Sequence, residues 1–294
     1  MHELQSQAPR ALTIAGSDSG GGAGIQADLK TFAAMGVYGT SAITAVTAQN
    51  TIELSDVVSL PPAIVEAQID AVLSDIGADA VKTGMLANAE LVAVVAAKLR
   101  AHEVENVVVD PVMLSSGGRK LLDAAGIELI IRDLLPLALI VTPNTEEAAV
   151  LSGRNVETWD DARQAARIIV ERGARSVVIT GGDFIDEDSA TDLYFDGHRF
   201  REYTAVRVRT TSTHGTGCTF AAAIAAGIAK GLNVEGAIAL AKSYVTLALQ
   251  HSYPIGRGNG PPHHFYRYWQ PRISRRDPVT TASVGTGTTD GPNP

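Results

Sequence analysis

The chain has 294 residues, of which 45% are hydrophobic and 19% charged, so it can form one or two domains around a substantial core. Its formal net charge of −8 argues against a nucleic-acid partner, because contacts to a phosphate backbone need clustered Lys and Arg. Cys218 is the only cysteine, which excludes an intramolecular disulfide. The polar start and the lack of an apolar run of about 18 residues predict no signal peptide, no membrane partner and a cytoplasmic location.

The chain alternates between two kinds of segment. Short runs rich in β-branched residues predict strands, and the longer stretches between them follow a helical period. This alternation is typical of a three-layer α/β fold, in which a mostly parallel central sheet has helices on both faces. The strands are predicted at residues 12–15, 42–47, 80–83, 106–109, 139–142 and 176–180.

Local signals place two helices and a hairpin in this pattern. Apolar residues recur at helical spacing after Pro62 and predict a helix with one buried face. Thr158 and Asp161 resemble a capping box, which predicts a second helix that stops near Gly173. The Asp-Gly pair at 196–197 lies between two β-rich runs and predicts a tight hairpin at an antiparallel edge.

Residues 11–270 are predicted to form a single domain, because no Pro-, Ser- or Gly-rich linker interrupts them and no internal repeat is apparent. Residues 271–294 are rich in Thr, Gly, Pro and Asp and lose the apolar pattern. We expect this tail and residues 1–10 to be disordered. The oligomeric state stays open, with a homodimer as one alternative.

A glycine-rich loop at residues 16–24 lies between a predicted strand and a predicted helix, where open α/β sheets bind ligands. Five of its nine residues are glycine, against a usual share of about 7%. The loop lacks the Lys-Ser/Thr pair of a Walker P-loop, and Ile25 occupies the last glycine position of a dinucleotide fingerprint. It is a candidate ligand site, and a plain flexible connection is the alternative.

Two carboxylates follow predicted strands and are candidate ligands for Mg²⁺. Asp110 comes directly after the run at 106–109, and Glu147 lies shortly after the strand at 139–142. Magnesium needs only one or two protein oxygens when phosphates complete its coordination. Helix capping by Asn144 and Glu147, and turn capping by Asp110, are the alternatives.

The strongest local signal is the turn at residues 213–219, which opens an alanine-rich helix. Glycines let successive amides face one concavity, and the helix N-terminus adds about half a positive charge. Gly215, Thr216, Gly217 and Cys218 are therefore predicted to stabilise an anion that develops during phosphoryl transfer.

Three side chains near this turn have competing interpretations. Cys218 lies in the first helical turn, where the helix dipole favours a thiolate, and an inert core residue is the alternative. His214 is either a turn residue bonded to the backbone, which we favour, or a phosphate contact. Lys242, on a neighbouring predicted helix, could reach phosphate, although an isolated lysine is ordinarily solvated.

Seven segments of the chain follow the order found in one known group of enzymes. They are AGSDSGGGAGIQAD at 15–28, TAVTAQNT at 44–51, VKTGML at 81–86, VDPVM at 109–113, TPN at 142–144, HGTGCT at 214–219, and YPIG at 253–256 with GP at 260–261. On these motifs residues 11–268 resemble the ribokinase-like superfamily and, within it, the hydroxymethylpyrimidine/phosphomethylpyrimidine kinases of thiamine biosynthesis. The resemblance implies the ribokinase-like version of the three-layer fold.

The same resemblance implies a small-molecule pyrimidine substrate. ATP would phosphorylate 4-amino-5-hydroxymethyl-2-methylpyrimidine and then its monophosphate. Gln49 is expected to hydrogen-bond the pyrimidine, since an amide offers a donor and an acceptor in one plane. Gly16, Asp28, Met85 and Val112 would line the pocket.

The resemblance also implies a phosphate-binding set. Asp110 and Glu147 would serve Mg²⁺ and the phosphates, and residues 215–218 would form the anion hole. Cys218 would occupy the position of the general base, with an anion-hole role as the alternative. The remaining members of the set are Asn144, Thr180 and Lys242.

The chain departs from the family pattern at several positions. Thr180 stands where the family usually has lysine, and Asp183 stands where it often has histidine. Arg257 and Asn259 differ from the more usual Gly-His pattern. A missing lysine would remove one cationic contact to ATP.

Two other functions fit the same features. Pyridoxal or pyridoxine kinases share the fold, the Gly-Cys turn and an aromatic substrate with a hydroxymethyl group, but Gln49 and Met85 favour the aminopyrimidine. A non-catalytic pyrimidine-binding protein is the other alternative, and it is motivated by Thr180.

Overall fold

The structure is a computed structural model that describes residues 8–115, 117–182 and 188–271. Within these residues nine strands form one sheet. They are β1 (Arg10–Asp18), β2 (Tyr38–Gln49), β3 (Leu54–Ser59), β4 (Ala80–Thr83), β5 (Val107–Val109), β6 (Ala138–Val141), β7 (Val177–Thr180), β8 (Ser189–Phe195) and β9 (Phe200–Val206).

Eight α-helices connect and cover these strands in the described part of the chain. They are α1 (Gly24–Ala34), α2 (Pro62–Ala71), α3 (Ala89–Ala101), α4 (Ala124–Leu129), α5 (Thr145–Ser152), α6 (Trp159–Glu171), α7 (Thr216–Ala229) and α8 (Val234–Gln250). A π-helical turn, Val72–Ile76, extends α2, and a second, Ile130–Leu134, extends α4 before a 3₁₀ turn, Leu135–Leu137. None of the described helices is long and apolar enough to cross a membrane.

The sheet has the order β3-β2-β1-β4-β5-β6-β7-β8-β9. Its pairs from β2 through β7 are parallel, whereas β3, β8 and β9 pair antiparallel. All six predicted parallel strands are confirmed, as is the antiparallel hairpin at one edge. The hairpin connection covers residues 196–199 rather than a two-residue turn, and the edge strand β3 was not predicted.

Helices cover both faces of the sheet. Side chains alternate along β5, so Val107 and Val109 join one core while Val108 joins the other. The first core includes residues from α2, α3, α5 and α6, and the second includes residues from α1, α7 and α8. The arrangement is the predicted three-layer α/β fold.

The local helix signals are also confirmed. The Thr158 side chain accepts a hydrogen bond from the Asp161 amide at 3.2 Å, and Asp161 accepts one from the Thr158 amide at 3.0 Å. Helix α6 ends at Glu171, two residues before Gly173, which has a φ of 114° that favours glycine. One predicted boundary is wrong, because β1 begins at Arg10, inside the segment expected to be disordered. The other residues of the predicted tails, apart from residues 8, 9 and 271, lie outside the described residues.

The order of the sheet determines where a ligand can bind. Strand β1 is central, with β2 on one side and β4 on the other, so the direction of the chain across the sheet reverses there. Ligands of open α/β sheets bind at such a point, beyond the carboxyl ends of the strands. The carboxyl ends of β1, β2, β4, β5, β6 and β7 share one edge because these strands run parallel.

Candidate active site

A cavity of about 420 Å³ lies at this edge of the sheet. Its walls come from both glycine-rich loops and from residues at or just after the carboxyl ends of the six parallel strands. Twelve of the predicted site residues line it: Gly16, Gln49, Met85, Asp110, Val112, Asn144, Glu147, Thr180, Gly215, Thr216, Gly217 and Cys218. Distant parts of the sequence therefore meet in one pocket.

Asp18 organises the first glycine-rich loop. Its carboxylate accepts hydrogen bonds from the amides of Gly20, Gly22 and Ala23 at 2.8 to 2.9 Å. Burial by itself raises the pKa of Asp18, but the hydrogen bonds from His214 and from the loop amides outweigh it and lower the pKa below 3.8. The loop is thus fixed around a charged carboxylate and is not a plain flexible connection.

The two glycine-rich loops touch through their backbones. A Cβ atom at Gly215 would collide with the carbonyl oxygen of Gly22, and one at Gly24 would collide with that of Gly16. Gly215 and Gly24 also have positive φ angles of 80° and 56°. Glycine is required at both positions for steric and conformational reasons.

His214 joins the two loops. Its Nε2 lies 2.9 Å from Asp18 Oδ2 and donates to that carboxylate. The Gln49 amide nitrogen lies 3.4 Å from the same Nε2, which has no lone pair left once it carries the proton. The contact to Asp18 supports a structural role for His214, and the backbone amide of His214 donates to the Gly260 carbonyl at 3.0 Å. It leaves the Gln49 amide available to a ligand.

The second loop ends in a helix N-terminus that faces the cavity. Gly215 is the N-cap of α7 and supplies no side-chain cap, so the positive end of the helix is not covered by its own side chain. The first amides of a helix have no partner within the helix and bind anions readily. The residues of the predicted anion site therefore line the cavity, and anion binding there stays a prediction.

Cys218 lies in the first turn of α7 and lines the cavity. Burial raises the pKa of its thiol to about 12, with Asp110 and Asp28 adding to the rise and Lys82 opposing it. This rise opposes the lowering of the pKa that the sequence interpretation expected from the helix N-terminus. The thiol keeps its proton at neutral pH.

The carboxylates of Asp110 and Glu147 both line the cavity. Glu147 forms a capping box with Asn144: its amide donates to Asn144 Oδ1 at 2.8 Å, and its Oε2 accepts from the Asn144 amide at 3.0 Å. Asn144 and Glu147 therefore cap helix α5, as one of the two sequence interpretations predicted, and these hydrogen bonds fix the orientation of the Glu147 side chain. Asp110 is 5% exposed, and its amide donates to the Thr83 carbonyl at 3.0 Å.

These residues fit a magnesium ion only in combination with phosphates. Among the described residues, no group of three His, Cys, Asp or Glu side chains could hold a metal ion. Asp110 and Glu147 supply the one or two carboxylates that Mg²⁺ needs beside phosphate oxygens.

Asp28 does not line the cavity, contrary to the expectation. Its side chain on α1 is completely buried, and its Oδ2 accepts from Thr13 Oγ1 at 2.6 Å and from Lys82 Nζ at 3.0 Å. The helix presents Asp28 to the sheet beneath the cavity, so its side chain does not line the predicted pyrimidine pocket. Burial alone would lower the pKa of Lys82, but the charges of Asp28 and Asp110 raise it well above its ordinary value.

Lys242 also lies outside the cavity lining. Its Nζ is 2.8 Å from Asp192 Oδ2, and Asp192 Oδ1 accepts from the Gly181 amide at 3.2 Å. The default of a solvated lysine is wrong as well, because the side chain is mostly buried in this ion pair. Thr180 does line the cavity, and Asp183 lies outside the described residues.

Sequence reasoning missed two charged residues at this site. Asp18 is part of the motif at 15–28, but the sequence alone does not show that its carboxylate, and not a neighbouring side chain, accepts the hydrogen bonds of the loop amides. Lys82 gave a usable signal, because a lysine in the middle of a strand predicted to be buried needs an ion-pair partner.

The profile of the family described as phosphomethylpyrimidine kinase matches residues 18–263. This chain belongs to that family. Among other phosphomethylpyrimidine kinase relatives, the hydroxymethylpyrimidine/phosphomethylpyrimidine kinase of Rhizobium meliloti is 49% identical over 264 residues, which are 88% of this chain and 98% of that protein. The protein of the same name from Bacillus subtilis is 47% identical over 87% of this chain and 94% of that protein.

The chain spans about half the length of some longer relatives of the phosphomethylpyrimidine kinase family. It is 50% identical to the thiamine biosynthesis bifunctional protein ThiED of Geobacter sulfurreducens, over 86% of this chain and 51% of that protein.

Solved structures confirm the ribokinase-like fold of this phosphomethylpyrimidine kinase family member. An ADP complex of Bacillus subtilis pyridoxal kinase has a TM-score of 0.82 and 40% identity, covering 88% of this chain and 98% of that chain. The phosphomethylpyrimidine kinase of Clostridium difficile has a TM-score of 0.73 and 40% identity, covering 82% and 99%. The curated pyrimidine kinases are more similar in sequence, at 47 to 50% identity.

Proposed function

We propose that this chain transfers the γ-phosphoryl group of ATP to the hydroxymethyl group of 4-amino-5-hydroxymethyl-2-methylpyrimidine, and then phosphorylates the monophosphate to the diphosphate. The observation that carries the proposal is the single cavity in which two glycine-rich loops meet Asp110 and Glu147. Family membership supplies the substrate class. In each step the acceptor oxygen bonds to the γ-phosphorus while the bond to the leaving ADP breaks. In the first step the hydroxyl group also loses its proton, which goes to solvent.

The residues have distinct roles in this proposal. Gln49 and Met85 hold the aminopyrimidine, the first through its amide and the second through an adaptable apolar face. The amides of residues 215–218 and the dipole of α7 stabilise charge on the transferring group. Asp110 and Glu147 bind Mg²⁺, which neutralises phosphate charge when it is present.

We assign Cys218 to the anion hole rather than to general-base catalysis. Its thiol keeps its proton at neutral pH, since its pKa is raised to about 12. Phosphoryl transfer through a loose transition state depends on positioning and electrostatics, so it needs little help from a base.

The cytoplasmic location and the homodimeric alternative are further proposals that come from the sequence alone.

Mass-resolved product analysis with the hydroxymethylpyrimidine, ATP and Mg²⁺ tests the proposed function. We expect both the mono- and the diphosphate. Asp110→Asn should lower kcat on the order of a hundredfold, while the exposed control Asp75→Asn should not change it. Monophosphate alone would remove the second step, and pyrimidine binding without turnover would indicate a binding protein. A kcat/KM for pyridoxal as high as for the pyrimidine would contradict the substrate assignment.

A further inference from the structure

Lys82 is a buried ammonium group beneath the cavity floor. It is completely inaccessible and is among the largest fully buried side chains of the described residues. Along β4 and its neighbour β1, alternation directs Lys82 and Thr13 toward the layer of α1 and α7, because Ala80 and Ala11 belong to that core. A buried lysine is stable only when it is paired with an opposite charge, so the partners of Lys82 indicate its structural or functional role.

Its ammonium group lies between two carboxylates of different kinds. Nζ is 3.0 Å from Asp28 Oδ2, which is closed off from the cavity, and 3.3 Å from Asp110 Oδ2, which belongs to a cavity-lining residue. A Cβ atom at Gly84 would lie 2.8 Å from Nζ, so the glycine leaves the space that the ammonium group fills. Lys82 thus connects the interior to the site.

We propose that Lys82 is a positioning residue that fixes the carboxylate of Asp110, and that Asp28 acts on the site only through Lys82. The proposal rests on the role of Asp110 at the phosphates. Among the described residues, Asp110 Oδ2 is buried without a hydrogen-bond partner, so the ion pair is the contact that holds this oxygen inward. With Oδ2 held there, Oδ1 is the oxygen left for the cavity.

Charge links the three side chains. Lys82, Asp28 and Asp110 together carry a net charge of −1, and Asp28 holds the ammonium group in place with help from Thr13. Without Lys82, two uncompensated carboxylates would lie close together in a buried region, and the Asp110 side chain would turn away. A lysine that only neutralises the core for folding is the competing explanation.

Three variants separate the two explanations because they change the formal net charge of the Lys82, Asp28 and Asp110 cluster. The charge is −2 in Lys82→Met, 0 in Asp28→Asn and −1 in the double variant. If Lys82 positions Asp110, the double variant regains most of the thermal stability that Lys82→Met loses. Its kcat nevertheless stays at least about tenfold below wild type, with a raised KM for ATP and Mg²⁺, as in Asp110→Asn. Asp28→Asn still offers an oxygen acceptor to the ammonium group, so this variant alone keeps kcat within about threefold. It binds the pyrimidine with unchanged affinity in calorimetry without nucleotide.

A double variant with wild-type kcat would overturn the proposal, because neutralisation would then suffice. Loss of pyrimidine affinity in Asp28→Asn would overturn the second part by showing a direct contact. If the double variant does not fold, Asp28→Asn decides the second part, and a crystal structure of Lys82→Met decides the first. An Asp110 side chain that keeps its orientation in that crystal structure contradicts the proposal. This result does not depend on kinase activity, so failure of the positioning role can be told apart from failure of the proposed function.

Discussion

Opposing influences act on the thiol of Cys218. Burial raises its pKa and is the largest effect, and the carboxylates of Asp110 and Asp28 act in the same direction. Lys82 and a hydrogen bond from the Gly24 amide favour the thiolate, as does the N-terminus of α7. Because desolvation has the largest effect, Cys218 contributes a neutral, polarisable thiol to the anion site and not a base.

The raised pKa can be tested directly, since Cys218 is the only thiol in the chain. We expect that its alkylation by iodoacetamide rises with pH without an inflection below about pH 10, because only the thiolate reacts and the pKa is about 12. Cys218→Ala identifies background labelling. An inflection at or below about pH 8.5 would contradict the assignment and restore a candidate base.

Asp18 makes stability depend on pH in a defined direction. Its folded-state pKa is lower than 3.8, so its contribution is complete well above pH 4 and is lost as pH falls through the folded value. We expect Asp18→Asn to lower the free energy of unfolding by about 2 kcal/mol at pH 7, with the difference shrinking below about pH 4. Urea unfolding at several pH values measures this, and an equal difference at pH 3 and pH 7 would contradict it.

Asp28 and Lys82 show what a motif can and cannot predict at the residue scale. The motif at 15–28 identified the loop and the following helix correctly. It did not show which helix face meets the cavity, and the structure turns Asp28 toward β1 and β4. Burial and partner choice depend on the packing of three elements, and one sequence does not contain that information locally.

At the scale of elements, buried strands were predictable and one edge strand was not. Strands β5, β6 and β7 are nearly continuous apolar runs because helices cover both faces. Strand β3 has four exposed residues among its six, and it contains Ser and Asp at positions where a buried strand would be apolar. Its pairing with β2 comes from tertiary structure, so composition does not predict it.

Helix α3 depends on a side-chain cap that can be removed without touching the cavity. Asn88 accepts a hydrogen bond from the Leu91 amide at 2.9 Å. We expect Asn88→Ala to lower the free energy of unfolding by about 1 kcal/mol, because one helix amide loses its partner. Asn88→Asp keeps an acceptor and should stay close to wild type. Denaturant unfolding checks both, and equal losses in the two variants would show that the cap is unimportant.

At the scale of the whole molecule, the cavity exists only when distant segments come together. Gln49 ends β2, Asp110 follows β5 and Cys218 lies in the first turn of α7, yet all three line one space. The sequence predicted this meeting through the rule for parallel strand ends and through the order of the motifs. It did not predict the Asp18 to His214 contact that joins the loops, because that contact depends on their backbone approach.

Since the unfolded chain has no such cavity, a ligand of the site should stabilise the fold by mass action. At a hundredfold excess over its Kd, the hydroxymethylpyrimidine should add about 2.7 kcal/mol to the free energy of unfolding, which corresponds to a rise in Tm of roughly 5 °C. Gln49→Ala should need a higher concentration for the same shift, because the amide that faces the cavity is lost. Scanning calorimetry with pyridoxal as the comparison ligand measures the effect. A larger shift with pyridoxal at equal concentration would indicate that the pocket prefers the pyridine ring.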